Sequence, residues 1–140
     1  MTTIRRKPLL SIWIRGTPKS LQAGTHRDYT ARIRASAAKQ IQRPLNTNRI
    51  DIDVIFSAKV GTVRADVDNV AKPILDALKG VVYKDDKQVR SIRVAALPQG
   101  EAVSLRGNFG VHLRLQKGEE FLINIYEGRY LDVPIVERQN

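Results

Sequence analysis

Residues Arg64 to Gly80 read RADVDNVAKPILDALKG, and the way this stretch folds fixes what can lie on either side of it. Val70, Ile74, Ala77 and Leu78 recur at helical spacing, with Asp68, Lys72 and Asp76 as a charged stripe on the opposite side, so a helix is expected from about Asp68 to Leu78. Gly80 supplies its C-terminal stop. Pro73 is tolerated only near a helix start, so the helix cannot begin much before Asp68. Either Asp68 or Asn69 can cap it by accepting from the free N–H groups of the first turn. A cap needs one carboxylate, however, and the extended approach RADVD turns two of them, Asp66 and Asp68, to the same side.

Upstream, Ile50, Ile52, Val54 and Phe56 alternate as a strand, and Asp51 and Asp53 read as its outward face rather than as ligands. A basic amphipathic helix is expected from about His26 to Arg43. Its thin seam is Tyr29, Ile33, Ala37 and Ile41, and Arg32, Lys39 and Arg43 lie on another side. Pro44 ends it. Before it, LLSIWIRG alternates as a half-buried strand, followed by the loop GTPKSLQAGT with Lys19. Downstream, VVY suggests a short strand, KDDKQ an acidic turn and VRSIRVAAL a longer strand. FGVHLRLQ and EEFLINIYEG look like a closing hairpin about Lys117 and Gly118, and the tail RYLDVPIVERQN has no clear periodicity. A chain of 140 residues suits one core. The expectation is a single α+β domain over residues 1–140, with a mixed β-sheet and two main helices.

Charge is distributed unevenly. Residues 1–49 hold 11 Lys or Arg against Asp28 alone, while residues 50–140 hold 13 of each sign, so the whole excess of +10 lies in the first third. A basic segment of this kind suits a polyanion, each neutralised phosphate releasing counterions; a solubilising surface or an anionic membrane contact gives the same composition. Read as a nucleic-acid surface, residues 1–49 offer Lys19, Arg27, Arg32, Arg34, Lys39 and Arg43 as phosphate contacts. No apolar run approaches the length of a membrane span, and Arg15 interrupts the first apolar stretch with no small-residue cleavage site after it, so a cytoplasmic protein without a signal peptide is expected. With no cysteine, disulfides, thiolate metal sites and a Cys nucleophile are excluded.

The acids pose the chemical question. Because Gly80 reverses the chain after a short helix, the next strand is expected to return toward the helix start and bring Asp85 and Asp86 near Asp66 and Asp68. Bare like charges in such a cluster repel, but around Mg²⁺, which prefers oxygen ligands and keeps several waters, the cluster is favourable. A polar turn is the alternative for Asp85 and Asp86. Asp76 reads as an i,i+4 partner of Lys72; for Lys72 itself the ion pair and a catalytic role both stand.

Asp66 to Val89, DVDNVAKPILDALKGVVYKDDKQV, resembles the signature of the RusA family of Holliday junction resolvases, dimeric Mg²⁺-dependent endonucleases. The likeness joins D-x-D-N, a lysine four residues after the second Asp, LDAL and DD-x-Q-V in one order. The opening strand, a G-x-P-x-S loop (Gly16, Pro18 and Ser20), a helix and a second strand agree more loosely. The resemblance implies that Asp66, Asp68 and Asp86 are essential metal-binding acids, that Asp85 accompanies them and that Lys72 is the catalytic lysine. It implies a homodimer that cuts both sides of a four-way DNA junction in recombination and repair. The other readings are a DNA-binding module without catalysis, whose acids only cap and pair, and a related metal nuclease acting on other branched DNA.

Overall fold

The alternating apolar residues of four strands line up as rows across one sheet. The computed structural model describes residues 7–16, 26–58, 67–98, 114–115, 117 and 120–128. In chain order they form β1 (Leu10–Arg15), α1 (His26–Gln40), β2 (Ile50–Ala58), α2 (Val67–Leu78), a single 3₁₀ turn (Asp86–Gln88), β3 (Val89–Pro98) and β4 (Glu120–Glu127). The strand order is β1-β4-β2-β3, with β4 antiparallel to both neighbours and β2 parallel to β3. This is the α+β arrangement expected, with a mixed sheet and two helices.

Register sets the core. One row runs Leu10, Ile125, Ile52, Ile92; the next runs Ile12, Ile123, Val54, Val94; a third runs Ile14, Phe121, Phe56, Ala96. The members from β1, β4 and β2 are buried and meet Ile33 and Ala37 of α1 and Val70, Ile74, Ala77 and Leu78 of α2 in one cluster. Full burial of each large aliphatic side chain contributes about 1.5–3 kcal/mol, so this face carries most of the fold's stability. Both helices share the face for a topological reason. The β1-α1-β2 and β2-α2-β3 crossovers step across the sheet in the same direction, and right-handed crossovers in one direction place their helices on one side.

The opposite face corrects one expectation. Asp51 points away from the helices but is buried, 4% exposed, and accepts a 2.7 Å hydrogen bond from the Ser91 hydroxyl. Asp53 pairs with Arg93 through bonds of 3.0 and 3.2 Å. Both aspartates are thus engaged with β3, the strand beside them, rather than lying open to solvent. Farther along, Leu115 is fully buried against Leu122, Trp13 and Ile55, Arg114 lies 3.9 Å from the Trp13 ring centroid, and Arg114 pairs with Glu120.

Three further boundaries differ from the sequence reading. The first helix ends at Gln40, short of Arg43. VVY is no strand: the N–H groups of Val81 and Val82 both turn back to the Leu78 carbonyl, at 3.2 and 2.9 Å, and Gly80, at φ 88°, donates to Tyr83 at 2.7 Å. Gly80 supplies the left-handed conformation that side-chain-bearing residues avoid. The closing hairpin is not formed among the described residues, since Arg114 and Leu115 take helical backbone and β4 pairs instead with β1 and β2. Residues 109–113 and 116 of that expected strand, and the tail, lie outside the described residues. No helix among the described residues is long and apolar enough to cross a membrane.

Gly16, at the end of β1, has φ 119°, and a Cβ there would run into the Tyr29 ring and hydroxyl. Tyr29 cannot easily yield, because it stacks on Phe121 and carries Arg32 over its ring. Gly16→Ala is expected to destabilise the fold by about 1–3 kcal/mol, measured by urea unfolding.

Candidate functional site

The acidic turn is built from its own side chains. Asp85 caps the 3₁₀ turn, one carboxylate oxygen accepting from the Lys87 N–H at 3.0 Å, and the Gln88 amide oxygen accepts from the Lys84 and Asp85 N–H groups at 2.9 and 3.0 Å. This reciprocal cap is why KDDKQ folds as it does. Asp86 is left projecting, its carboxylate 3.0 Å from the Lys79 ammonium. Both partners are substantially exposed, 47% and 73%, so the pair contributes about 0–1 kcal/mol and opens at little cost.

Beside this turn lies the end of α2. The Tyr83 hydroxyl donates to the Leu75 carbonyl at 2.6 Å, and burial, with the nearby Asp86 and Asp76 carboxylates, pushes its phenol up to about 12. It therefore stays protonated, a fixed donor, throughout the neutral range. The Lys79 and Tyr83 contacts dock the acidic turn against the last turns of α2, not against its start, which differs from the convergence expected. The cause is strand direction. β3 is parallel to β2 and begins at Val89 beside Ile50, so α2 must first carry the chain back along the sheet, and whatever immediately precedes β3 sits at the helix end. At 1.5 Å of rise per residue, the position of Asp68 is about 16 Å from that of Lys79 along α2.

Asp66 lies outside the described residues, and Asp68 enters only as a position in the first turn of α2. Among the described residues no group of three or more acids or histidines is assembled that could hold a metal ion. The donors that are described, Asp85 and Asp86, are exposed carboxylates next to each other in sequence, the oxygen chemistry a hard divalent cation takes. Lys72 is exposed on α2, and among the described residues no ion pair joins it to Asp76. The pair with Asp76 that the spacing suggested is therefore not formed among the described residues.

The basic candidates divide. Lys19 lies outside the described residues, and Arg27 is described only as a position in α1. Lys39 and Arg43 are exposed, at and just beyond the C-terminal end of α1. Arg32 reaches the Arg15 carbonyl at 2.8 Å and lies 5.0 Å from the Tyr29 ring centroid. Arg34 donates to the carbonyls of Ala77 and Lys79 at 3.1 and 2.7 Å, closing the C-terminal end of α2, where free carbonyls and the helix dipole favour a cation. Arg34→Met is accordingly expected to lower stability by about 1–3 kcal/mol by thermal melting while leaving the salt dependence of DNA binding unchanged.

Sequence reasoning missed Arg34 as a cap, the Lys79–Asp86 pair and the Tyr83 bond. It also missed Gln88, whose amide nitrogen donates to the Leu45 and Thr47 carbonyls at 2.7 and 2.9 Å. The only local signal was the D-x-x-Q spacing of Asp85 and Gln88, which marks a reciprocal cap. The chain matches the family model described as Endodeoxyribonuclease RusA over residues 14–106, well over half its length and including both α2 and the acidic turn. No individual curated protein matches it.

Proposed function

This chain belongs to the RusA endodeoxyribonuclease family, and from that membership we propose a Mg²⁺-dependent homodimeric nuclease that resolves four-way DNA junctions by paired phosphodiester hydrolysis. The observation that carries the reading is that the family match spans α1, α2 and the acidic turn, the elements bearing Lys72 and Asp86. The metal would be held by Asp66, Asp68 and Asp86, with Asp85 beside them. When bound at these carboxylates, it supplies a water of lowered pKa and polarises the phosphate.

The chain's own groups do the rest. Asp86 is free to exchange its weak partner Lys79 for a stronger charge. Lys72, exposed and without an ion pair to Asp76, offers a point charge to the oxygens on which negative charge grows as the bond breaks. Lys39 and Arg43, exposed at and just beyond the end of α1, would meet duplex phosphates, with Lys19, Arg27 and Arg32 as further contacts from the basic segment. Because Asp68 and the acidic turn lie at opposite ends of α2 within one chain, we assign the two to a shared site only across a pair of chains. A two-fold dimer then presents two such sites to a junction of approximately two-fold symmetry.

The deciding assay incubates the protein with mobile and immobile four-way junctions, flap DNA and linear duplex, with and without Mg²⁺. Symmetric Mg²⁺-dependent cuts confined to junctions are expected. Tight, salt-sensitive binding with no cleavage would replace the nuclease with a binding module, and equal cutting of flaps would broaden the substrate to branched DNA in general.

A further inference from the structure

Gln88 is only partly buried, yet its side-chain amide makes four hydrogen bonds, two on each side. Its oxygen accepts from Lys84 and Asp85, and its nitrogen donates to Leu45 and Thr47. The same two segments are joined by the Leu45 N–H, which donates to the Val82 carbonyl at 2.7 Å. One face of the amide therefore shapes the turn that presents Asp86, and the other ties that turn to the connection between α1 and β2, directly after Arg43. Among the described residues the Asp86 carboxylate has only the exposed pair with Lys79 to fix it, an interaction too weak to set a carboxylate's position.

We propose that Gln88 is a positioning residue for the acidic site, holding the Asp85–Asp86 turn in the geometry that binds the divalent cation. The proposal rests on the reading of Asp86 as a metal ligand. A ligand's outer partners set its affinity by keeping it aimed, and their loss typically weakens metal binding about 10–100-fold. Gln88 does this through backbone groups, since all four of its partners are main-chain atoms.

The test uses the intact chain without DNA. Gln88→Met keeps the length of the side chain and removes all four bonds. Mn²⁺ affinity is followed by calorimetry, amide exchange at Lys84 and Asp85 by NMR, and junction affinity in EDTA serves as the reference for the fold. Expected are Mn²⁺ binding weakened about tenfold, faster exchange at both amides and unchanged junction affinity, with Asp86→Asn weakening Mn²⁺ binding further still. Parental Mn²⁺ affinity in Gln88→Met, with binding lost in Asp86→Asn, would overturn the positioning role alone. Parental affinity in Asp86→Asn would overturn the ligand reading, and the positioning role with it. Should Gln88→Met not fold, Gln88→Glu carries the test, because it keeps the acceptor for Lys84 and Asp85 but loses both donors. Weaker Mn²⁺ binding despite the added negative charge supports the tether, and unchanged or tighter binding overturns it.

Discussion

Asp68→Asn and Asp86→Asn are each expected to lower junction nicking by roughly 10³-fold or more, because each replaces a carboxylate that would hold the cation with a neutral amide. Junction affinity in EDTA should survive in both, since neither change removes a phosphate contact. Mixing the two inactive proteins is the informative step. If Asp68 of one chain and Asp86 of another build a common site, each mixed dimer contains one doubly damaged site and one intact site, and random exchange restores about a quarter of the parental nicking. Sites confined to single chains predict no recovery, because every site in every dimer then carries one substitution. Nicking is the proper readout, for a mixed dimer with one working site cuts one strand and cannot complete the resolution. The same mixture should regain Mn²⁺ binding in calorimetry. Failure of both recoveries would leave the acids of each chain to meet without a partner, which requires the first turn of α2 and the acidic turn to approach each other across the length of the helix.

How much of this was legible beforehand depends on what kind of interaction decides each feature. The rows Leu10-Ile125-Ile52 and Ile12-Ile123-Val54 could be anticipated as strands because burial on one face imposes a period of two on the residues themselves. The amphipathic run Val70 to Leu78 was legible for the same reason at helical period. What sequence did not reveal was strand direction. Reading the segment after Gly80 as a return toward the helix start misplaced the acidic turn, and only the parallel pairing of β2 with β3 locates it at the other end of α2. The expected hairpin of FGVHLRLQ with EEFLINIYEG is not formed among the described residues, because alternation specifies a strand but not its partner, and β4 pairs on its two sides with β1 and β2. Charged residues were the least legible. Arg34 looks like any surface arginine of a basic helix until α2 brings two open carbonyls to it, and Asp51 reads as solvent-facing until Ser91 arrives from β3.

Lys72→Ala should slow cleavage by about two orders of magnitude with DNA binding and thermal stability nearly unchanged. The lysine is exposed and, among the described residues, forms no ion pair, so truncating it removes no salt bridge described there; its loss falls within the few tenths of a kcal/mol typical of exposed helix positions. A rate effect without a stability effect is the signature of an interaction that strengthens only as charge develops on the phosphate. Ground-state DNA binding spreads over many cations of the basic segment, and removing one charge there should change the salt slope by at most roughly 0.9. Lys72→Arg separates charge from shape. A planar guanidinium keeps the positive charge but cannot bring it to the point an ammonium occupies, so it should recover only part of the lost rate. Should Lys72→Ala cut junctions at the parental rate, transition-state charge would have to be met by the metal and the basic segment alone. Should it instead lose junction affinity in proportion to rate, Lys72 would join Lys39 and Arg43 as a phosphate contact.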